Sequence, residues 1–271
     1  MPKFSAHLTQ LFTDVPFRDR FARAARAGFA ACEFRSPFEY STHDVAAWLA
    51  ASGLVNVLFN MPAGNWTTGE RGIAALPGRE AEFRDGVALA LEYARALGTP
   101  MLHAMAGKEQ PGVPREVQHE VLVANLRHAA RALAAEGRTL LIEPINMRDL
   151  PGYFLTRQAD AHAIRQEVGE PNLRVQMDFY HAQMQEGDVE RALRAHLAAI
   201  GHIQVAGVPG RHEPDGGDID YPRLFELLDD LGYDGWIGCE YVPRGHTEDG
   251  LPWLGRAMAR GRPGTTTGVH A

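Results

Sequence analysis

Four polar side chains interrupt runs that are otherwise apolar, and they recur at a nearly constant interval. Glu143 stands in LLIEPIN, Asp178 in VQMDFYH, Gln204 in HIQVAG and Glu240 in IGCEY, at separations of 35, 26 and 36 residues. That interval is close to one strand-plus-helix unit of roughly 30 residues, so successive units can deliver all four to the same end of a sheet. Three carboxylates converging on one point repel one another and lose hydration, which raises at least one pKa unless a cation neutralises them. A divalent metal ion does this most simply. Four oxygen ligands favour magnesium or manganese over zinc, whose usual sites include histidine or cysteine. Taken singly, each residue reads as readily as a loop cap or an arginine partner; four in register on consecutive units favour the metal centre. A metal that stabilises an enolate oxygen also lets a nearby carboxylate move a proton on carbon. Glu143 and Glu240 therefore pair as acid and base across a small substrate. Such a pair interconverts an α-hydroxy ketone and an α-hydroxy aldehyde through an enediol, with no cofactor beyond the metal.

The elements that must hold these residues are legible as alternation. Apolar runs KFSAHL (3–8), AACEF (30–34), LVNVLF (54–59), MLHAM (101–105), TLLIEP (139–144), LRVQMDF (173–179), HIQVAG (202–207) and GWIGCEY (235–241) predict eight strands. Amphipathic stretches between them predict helices from Pro16 to Gly28, from Thr42 to Gly53, and over 79–97, 114–136, 157–168, 188–199, 222–231 and 249–260. Continuous apolar strands that each return through a helix imply a parallel sheet covered on its outer face. The count predicts a single-domain (β/α)8 TIM barrel over 1–260, with its active site at the C-terminal ends of the strands. One connection, NMPAGNWTTGERGIAALPG, is long enough to imply a function. Residues 261–271 are small and polar and read as a disordered C-terminal tail.

Composition narrows the function classes. The 271 residues carry 27 basic and 34 acidic side chains, a net charge of −7 that argues against a nucleic-acid partner. Only Lys3 and Lys108 are lysines, so Schiff-base chemistry has two candidates, neither inside a late strand. Cys32 and Cys239 sit in apolar strands and read as buried free thiols of a reducing compartment. No apolar stretch approaches the roughly 18 residues of a membrane span and the first residues lack a signal-peptide pattern, so the expectation is a cytoplasmic protein with no membrane partner. Self-association into a homo-oligomer stays open.

The segments SAHLTQLF, NMPAGNWTTGERGIAALPGREAEFRDGVALALEYARALG, LLIEPIN, QMDFYH, GHIQVAGVPGRHEP and GWIGCEY resemble the hydroxypyruvate isomerases of the xylose-isomerase-like barrel superfamily. The likeness runs from about residue 3 to about residue 258. It implies reversible isomerisation of hydroxypyruvate and tartronate semialdehyde, with Glu143 and Glu240 as the acid/base pair and with Glu143, Asp178, Gln204 and Glu240 holding the cation. Ketose epimerases of the superfamily commonly have histidine where this chain has Gln204, which favours the isomerase branch. His7 replaces a common asparagine and Asn65 a common aspartate, so both bear on substrate preference. A neighbouring branch isomerises 2-oxo-tetronates, and no motif separates a three-carbon from a four-carbon acid.

Further residues surround this set. His181, three after Asp178, is placed to bind a substrate oxygen and polarise the carbonyl, or is an ordinary loop histidine. Arg211 either forks onto the substrate carboxylate, the role the resemblance favours, or pairs with Glu213. Lys108 holds that carboxylate or is solvated. Glu70 and Arg71 in TTGERG belong to a lid or pocket wall covered by Trp66, or to an internal pair that shapes the loop. His103 and His202 read as hydrogen-bonded core residues, and neither they nor His212 reads as a zinc ligand. The competing functions are a ketose 3-epimerase, a zinc endonuclease acting at abasic DNA, a Schiff-base aldolase and a non-catalytic sugar-acid binder.

Overall fold

The computed structural model describes residues 2–260, so the expected tail lies outside the described residues. Eight parallel strands close into a barrel in chain order: β1 (Lys3–His7), β2 (Ala31–Phe34), β3 (Val55–Asn60), β4 (Met101–His103), β5 (Thr139–Ile142), β6 (Leu173–Asp178), β7 (Ile200–Val205) and β8 (Trp236–Cys239). β1 pairs with β8 from Lys3 opposite Trp236 to Ala6 opposite Cys239, and this ladder closes the ring. The single-domain (β/α)8 barrel expected from the alternation is the fold.

Helices α1 (Phe17–Arg26), α2 (Thr42–Ser52), α3 (Glu80–Leu97), α4 (Arg115–Ala134) and α5 (Gln158–Val168) follow the first five strands. Local chemistry sets their limits. The Ser41 hydroxyl accepts from the Asp44 amide to start α2, and Gly53 at φ 71° ends it. A short helix that the pattern did not reveal, α6 (Phe179–Gln185), comes directly off β6, because Asp178 accepts from the Tyr180 amide at 2.8 Å and caps it. Its sequence, FYHAQMQ, continues the apolar run of the strand and so carries no boundary signal. α7 (Val189–His196), α8 (Tyr221–Asp230) and α9 (Pro252–Arg260) complete the shell. None of the described helices is long and apolar enough to cross a membrane.

The core has two parts. Most buried apolar residues, among them Phe21, Leu126 and Ile164, lie in one continuous cluster. Ala31, Leu58 and Leu141 pack separately with Met101 and Trp236. Ala31, Met101 and Trp236 open their strands, so this second cluster plugs the N-terminal end of the barrel. Above the plug the interior turns polar: Ser5, Glu33, Gln176, His202 and Gln204 are all buried. Cys32 and Cys239 are buried free thiols.

Candidate active site

Side chains alternate along a strand, so each inward-facing row continues through the polar layer to the C-terminal mouth. There it lines a cavity of about 170 Å³. This is the space of roughly five or six waters, a volume suited to a small acid. Glu143 one residue beyond β5, Gln204 within β7 and Glu240 one residue beyond β8 all face the cavity. Asp178, the last residue of β6, is fully buried just behind the lining.

The acids meet as their spacing predicted. Ligand atoms of Glu143, Asp178 and His181 lie within 4.8 Å of one another, and Glu143 Oε1 is buried with no hydrogen-bond partner. Burial, reinforced by the charges of Glu240 and Asp178, holds the Glu143 carboxyl well above the usual range. Burial also raises Asp178, to about 7, against the opposing pull of Arg211. Glu240 goes the other way: burial pushes it upward, but His7, Arg211 and Arg35 together hold it below the ordinary value. Crowded, buried oxygen donors of this kind fit a hard divalent cation, whose charge would offset the repulsion. The Glu143 and Asp178 oxygens of this buried group are consistent with a divalent metal site, with His181 beside them.

His181 has a defined tautomer. The Asn146 side-chain oxygen accepts from the Arg148 and Asp149 amides at 3.0 and 2.9 Å, so its NH2 must face the ring. That NH2 donates to His181 Nδ1 at 2.6 Å. The hydrogen of the neutral ring is therefore on Nε2, which lies 3.7 Å from Asp178 Oδ2. Burial lowers the ring's pKa well below the usual value, in keeping with a neutral donor.

Beneath the acids lies Glu33, fully buried on β2. It accepts from Ser5 Oγ at 2.7 Å, from His202 Nε2 at 2.9 Å and from Gln204 Nε2 at 2.7 Å. Burial alone would raise this acid, but His202, His7 and the Gln204 amide outweigh it and hold Glu33 below the ordinary value. Gln204 is thereby oriented with its oxygen toward Gln176, whose NH2 donates to it at 2.6 Å. A Cβ on Gly238 would come within 2.3 Å of Glu33 Oε1, so glycine on β8 makes room for the carboxylate.

Arg211 is ringed by acids. Its Nη2 lies 3.4 Å from both Asp178 Oδ2 and Glu240 Oε1, and Nη1 lies 3.9 Å from Asp149. The expected alternative partner, Glu213, instead pairs with Arg244 at 3.1 Å. Arg211 adopts φ 55°, a left-handed conformation that costs a non-glycine residue about 1–2 kcal/mol. Its amide donates to Gly207 O at 2.7 Å and its carbonyl accepts from Val242 N at 2.8 Å, so both sides of the loop hold it in place.

The opposite wall is cationic. Arg35, two residues past Glu33 on the same inward row, lies 4.2 Å from the Trp66 ring centre, and Arg71 lies 4.1 Å from it. Both arginines line the cavity. The loop that carries Trp66 and Arg71 forms a wall of the cavity and is held where it ends. Gly72, at φ 112°, bridges to Ala106, and a Cβ there would meet the Met105 carbonyl at 2.4 Å and the Gly107 nitrogen at 2.6 Å. Beyond it, Ala74 O and Ala75 O accept from Asn125 and Gln118 on α4 at 2.9 and 3.0 Å.

Two expected substrate contacts are not brought to the cavity. Glu70 is spent on the loop: it accepts from the Asn65 amide at 2.5 Å and pairs with Arg79. Lys108 is not among the lining residues and bridges by backbone to Tyr153. Asn65 caps the short turn Trp66–Thr68, accepting from the Thr67 amide at 3.0 Å, and does not line the cavity. His103 is buried with Nδ1 3.3 Å from Asn60 Oδ1, the hydrogen-bonded core residue expected, and it also borders the cavity with Nδ1 3.7 Å from Glu143; burial pushes its pKa down to about 4. His7 also lines it, 3.7 Å from Glu240. His202 is a core residue as expected, and His212 donates to or accepts from nothing in the cavity, its Nδ1 lying 2.8 Å from Val242 O. Arg35 and Glu33 were missed, although ACEFR carries the signal: Ala31, Glu33 and Arg35 form one period-two row inside an apolar strand.

Comparison with known proteins agrees with this geometry. Residues 21–257 match the family model for the xylose isomerase-like TIM barrel. The chain is similar to a 2-oxo-tetronate isomerase of Cupriavidus necator, 53% identical over 96% of this chain and all of that one. It is also similar to a hydroxypyruvate isomerase of Escherichia coli, 46% identical over 94% of this chain and 98% of that one. Among solved structures, an AP endonuclease, family 2, from Brucella melitensis superposes with a TM-score of 0.93 at 48% identity, covering 94% of this chain and 99% of that one.

Proposed function

Since the chain belongs to the hydroxypyruvate and 2-oxo-tetronate isomerase family of xylose isomerase-like barrels, we propose that it is a sugar-acid isomerase interconverting a 3-hydroxy-2-oxo acid and its 2-hydroxy-3-oxo isomer. The observation that carries this reading is the pairing of Glu143 and Glu240 on the wall of one small cavity. The four-carbon 2-oxo-tetronate is the favoured substrate over hydroxypyruvate, because the relative named for it shares 53% of residues against 46%.

In this mechanism one glutamate removes the proton from C3 while the 2-oxo oxygen takes up a proton, giving a 2,3-enediol. The other glutamate then protonates C2 as the C3 hydroxyl loses its proton, which leaves a carbonyl at C3. Atoms balance with no redox partner. His181, fixed as an Nε2–H donor, polarises the substrate carbonyl. Glu33 holds Gln204 so that its amide oxygen faces Gln176. A magnesium or manganese ion held by Glu143, Asp178, Gln204 and Glu240 would supply Lewis acidity toward the substrate oxygens. The ketose epimerase structures such as D-psicose 3-epimerase share only 18% of residues, a likeness of fold alone. For the endonuclease reading, the net charge of −7 remains the opposing argument.

The test is an assay of 2-oxo-tetronate, hydroxypyruvate and several ketoses with magnesium or manganese in deuterated water. One solvent deuteron at C2 of the 2-hydroxy-3-oxo product is expected, with the higher kcat/KM for the four-carbon acid. Deuterium entering only C3 of a ketose, with neither acid turned over, would overturn the isomerase reading.

A further inference from the structure

The cavity holds three arginines, and their surroundings differ in kind. Arg211 faces Asp178, Glu240 and Asp149 at 3.4 to 3.9 Å, so its charge is already matched by acids of the protein itself. Among the described residues, no carboxylate lies within ion-pair distance of Arg35 or Arg71. Arg71 donates only to the backbone oxygens of Trp66 and Glu70, at 3.2 and 2.6 Å. Arg35 stacks on the Trp66 face and reaches Glu240 only through longer-range charge, with no ion pair between them. Two half-buried cations with no ion pair, beside one small cavity, attract an anion that the acid cluster repels.

Position agrees with charge. The strands run in order round the ring, so β2 and β3, which carry the Arg35–Trp66–Arg71 group, stand across the barrel from β6 and β7. The loop bearing Trp66 and Arg71 is pinned to the β4 connection at Gly72, and both guanidiniums stack on Trp66, which brings the two charges together on one wall.

We infer that Arg35 and Arg71, stacked on Trp66, are the carboxylate anchor of this enzyme, and that Arg211 is not. The substrate lies across the barrel with its C1 carboxylate on the β2–β3 side and its C2 and C3 on the acid side. The anchor thereby selects 2-oxo acids over neutral sugars of the same length. This inference rests on the isomerase reading for its kinetic arm only.

Hydroxypyruvate and dihydroxyacetone differ in having a carboxylate or a hydroxymethyl group at one end, so they form a matched charged and neutral pair. Arg35→Met and Arg71→Met are each expected to raise KM for hydroxypyruvate at least tenfold, with a smaller loss of kcat/KM on dihydroxyacetone than on the acid; Arg71→Met keeps kcat within about threefold, whereas Arg35→Met also lowers kcat on both compounds, because Arg35 acts on Glu240. Arg211→Gln is expected to lower kcat for both substrates alike. Equal losses on the acid and the neutral compound in the Arg35 and Arg71 variants, or an unchanged KM for the acid, overturn the inference. Should Arg35→Met not fold, Arg35→Lys keeps the charge but loses the planar stack, and the same KM change is read there at smaller size. If the wild-type chain turns over neither hydroxypyruvate nor the 2-oxo-tetronate, the isomerase reading has failed; in that case, or if either member of the matched pair is not turned over, calorimetry with tartronate decides the anchor separately. A tenfold or greater loss of tartronate affinity in Arg71→Met at unchanged melting temperature supports it, and unchanged affinity overturns it.

Discussion

The two sides of the cavity are built differently. On the β5–β8 side the acids stand on or one residue beyond strand ends, packed among buried neighbours and crowded enough to shift one another's protonation. On the β2–β3 side the cations hang from a strand extension and a long loop, stacked on one indole with no ion pair among the described residues. Proton transfer on carbon needs exact placement, which strand ends of a closed barrel supply. Holding a carboxylate needs only charge and a donor fork, which a loop can supply once it is pinned. On the proposed reading, one side is arranged for chemistry and the other for choice of substrate.

Removing the acids tests the first half most sharply. Glu143→Gln and Glu240→Gln should each cut kcat by roughly 10³-fold or more with the melting temperature preserved, and steady-state assays with circular dichroism read both. Retention of several per cent activity in both variants would break the assignment. Next in size, Arg211→Gln should lower kcat by about 10–100-fold while KM for the acid changes less than threefold, because the residue belongs with the acids. A KM effect alone would move Arg211 to the anchoring side.

The layer under the acids predicts a stability effect. Gly238→Ala forces a methyl onto Glu33 and should destabilise the fold by about 1–3 kcal/mol, read as a lower midpoint in urea. A residue remote from both walls separates loss of the site from loss of the fold as pH falls. His162 stacks on His196 at 4.0 Å, and burial pushes its pKa down to about 4 from 6.5. Below pH 6.5 the unfolded chain binds a proton that the folded chain refuses, so stability is lost between pH 6.5 and about 4. His162→Phe should remove on the order of 1–2 kcal/mol of that acid-side loss without altering kcat at neutral pH. Smallest of all, Lys108→Met should change kcat/KM by less than twofold, since the lysine is not part of either wall.

What was legible in the sequence follows the same division. Strand ends announce themselves, because a charged residue inside an apolar run has its direction set by the two-residue period. Glu143, Asp178, Gln204 and Glu240 were found that way, and all four lie at or directly behind the cavity wall. Glu33 and Arg35 carried the same signal on β2 but stood in an early strand, where the separation argument between late strands did not reach. Loop residues give no such direction. Glu70 and Lys108 looked like ligands because they are charged and near strand ends, yet the backbone turns one toward Arg79 and leaves the other outside the lining. His103 reads as core because its strand is apolar, and it is buried as expected; its place at the end of β4, which the pattern does not weigh, also sets it against the cavity.

The seam between the two wall loops has a practical consequence. A Cβ on Gly72 would strike the Gly107 nitrogen, and one on Gly107 would strike the Gly72 carbonyl at 2.6 Å, so the connections after β3 and β4 meet backbone to backbone. Anyone transplanting the arginine-bearing loop into a related barrel to change its selectivity would have to move the segment around Gly107 with it. The heritable unit of specificity in this barrel is thus a pair of neighbouring connections, and a chimera exchanging only the first would present its arginines out of place.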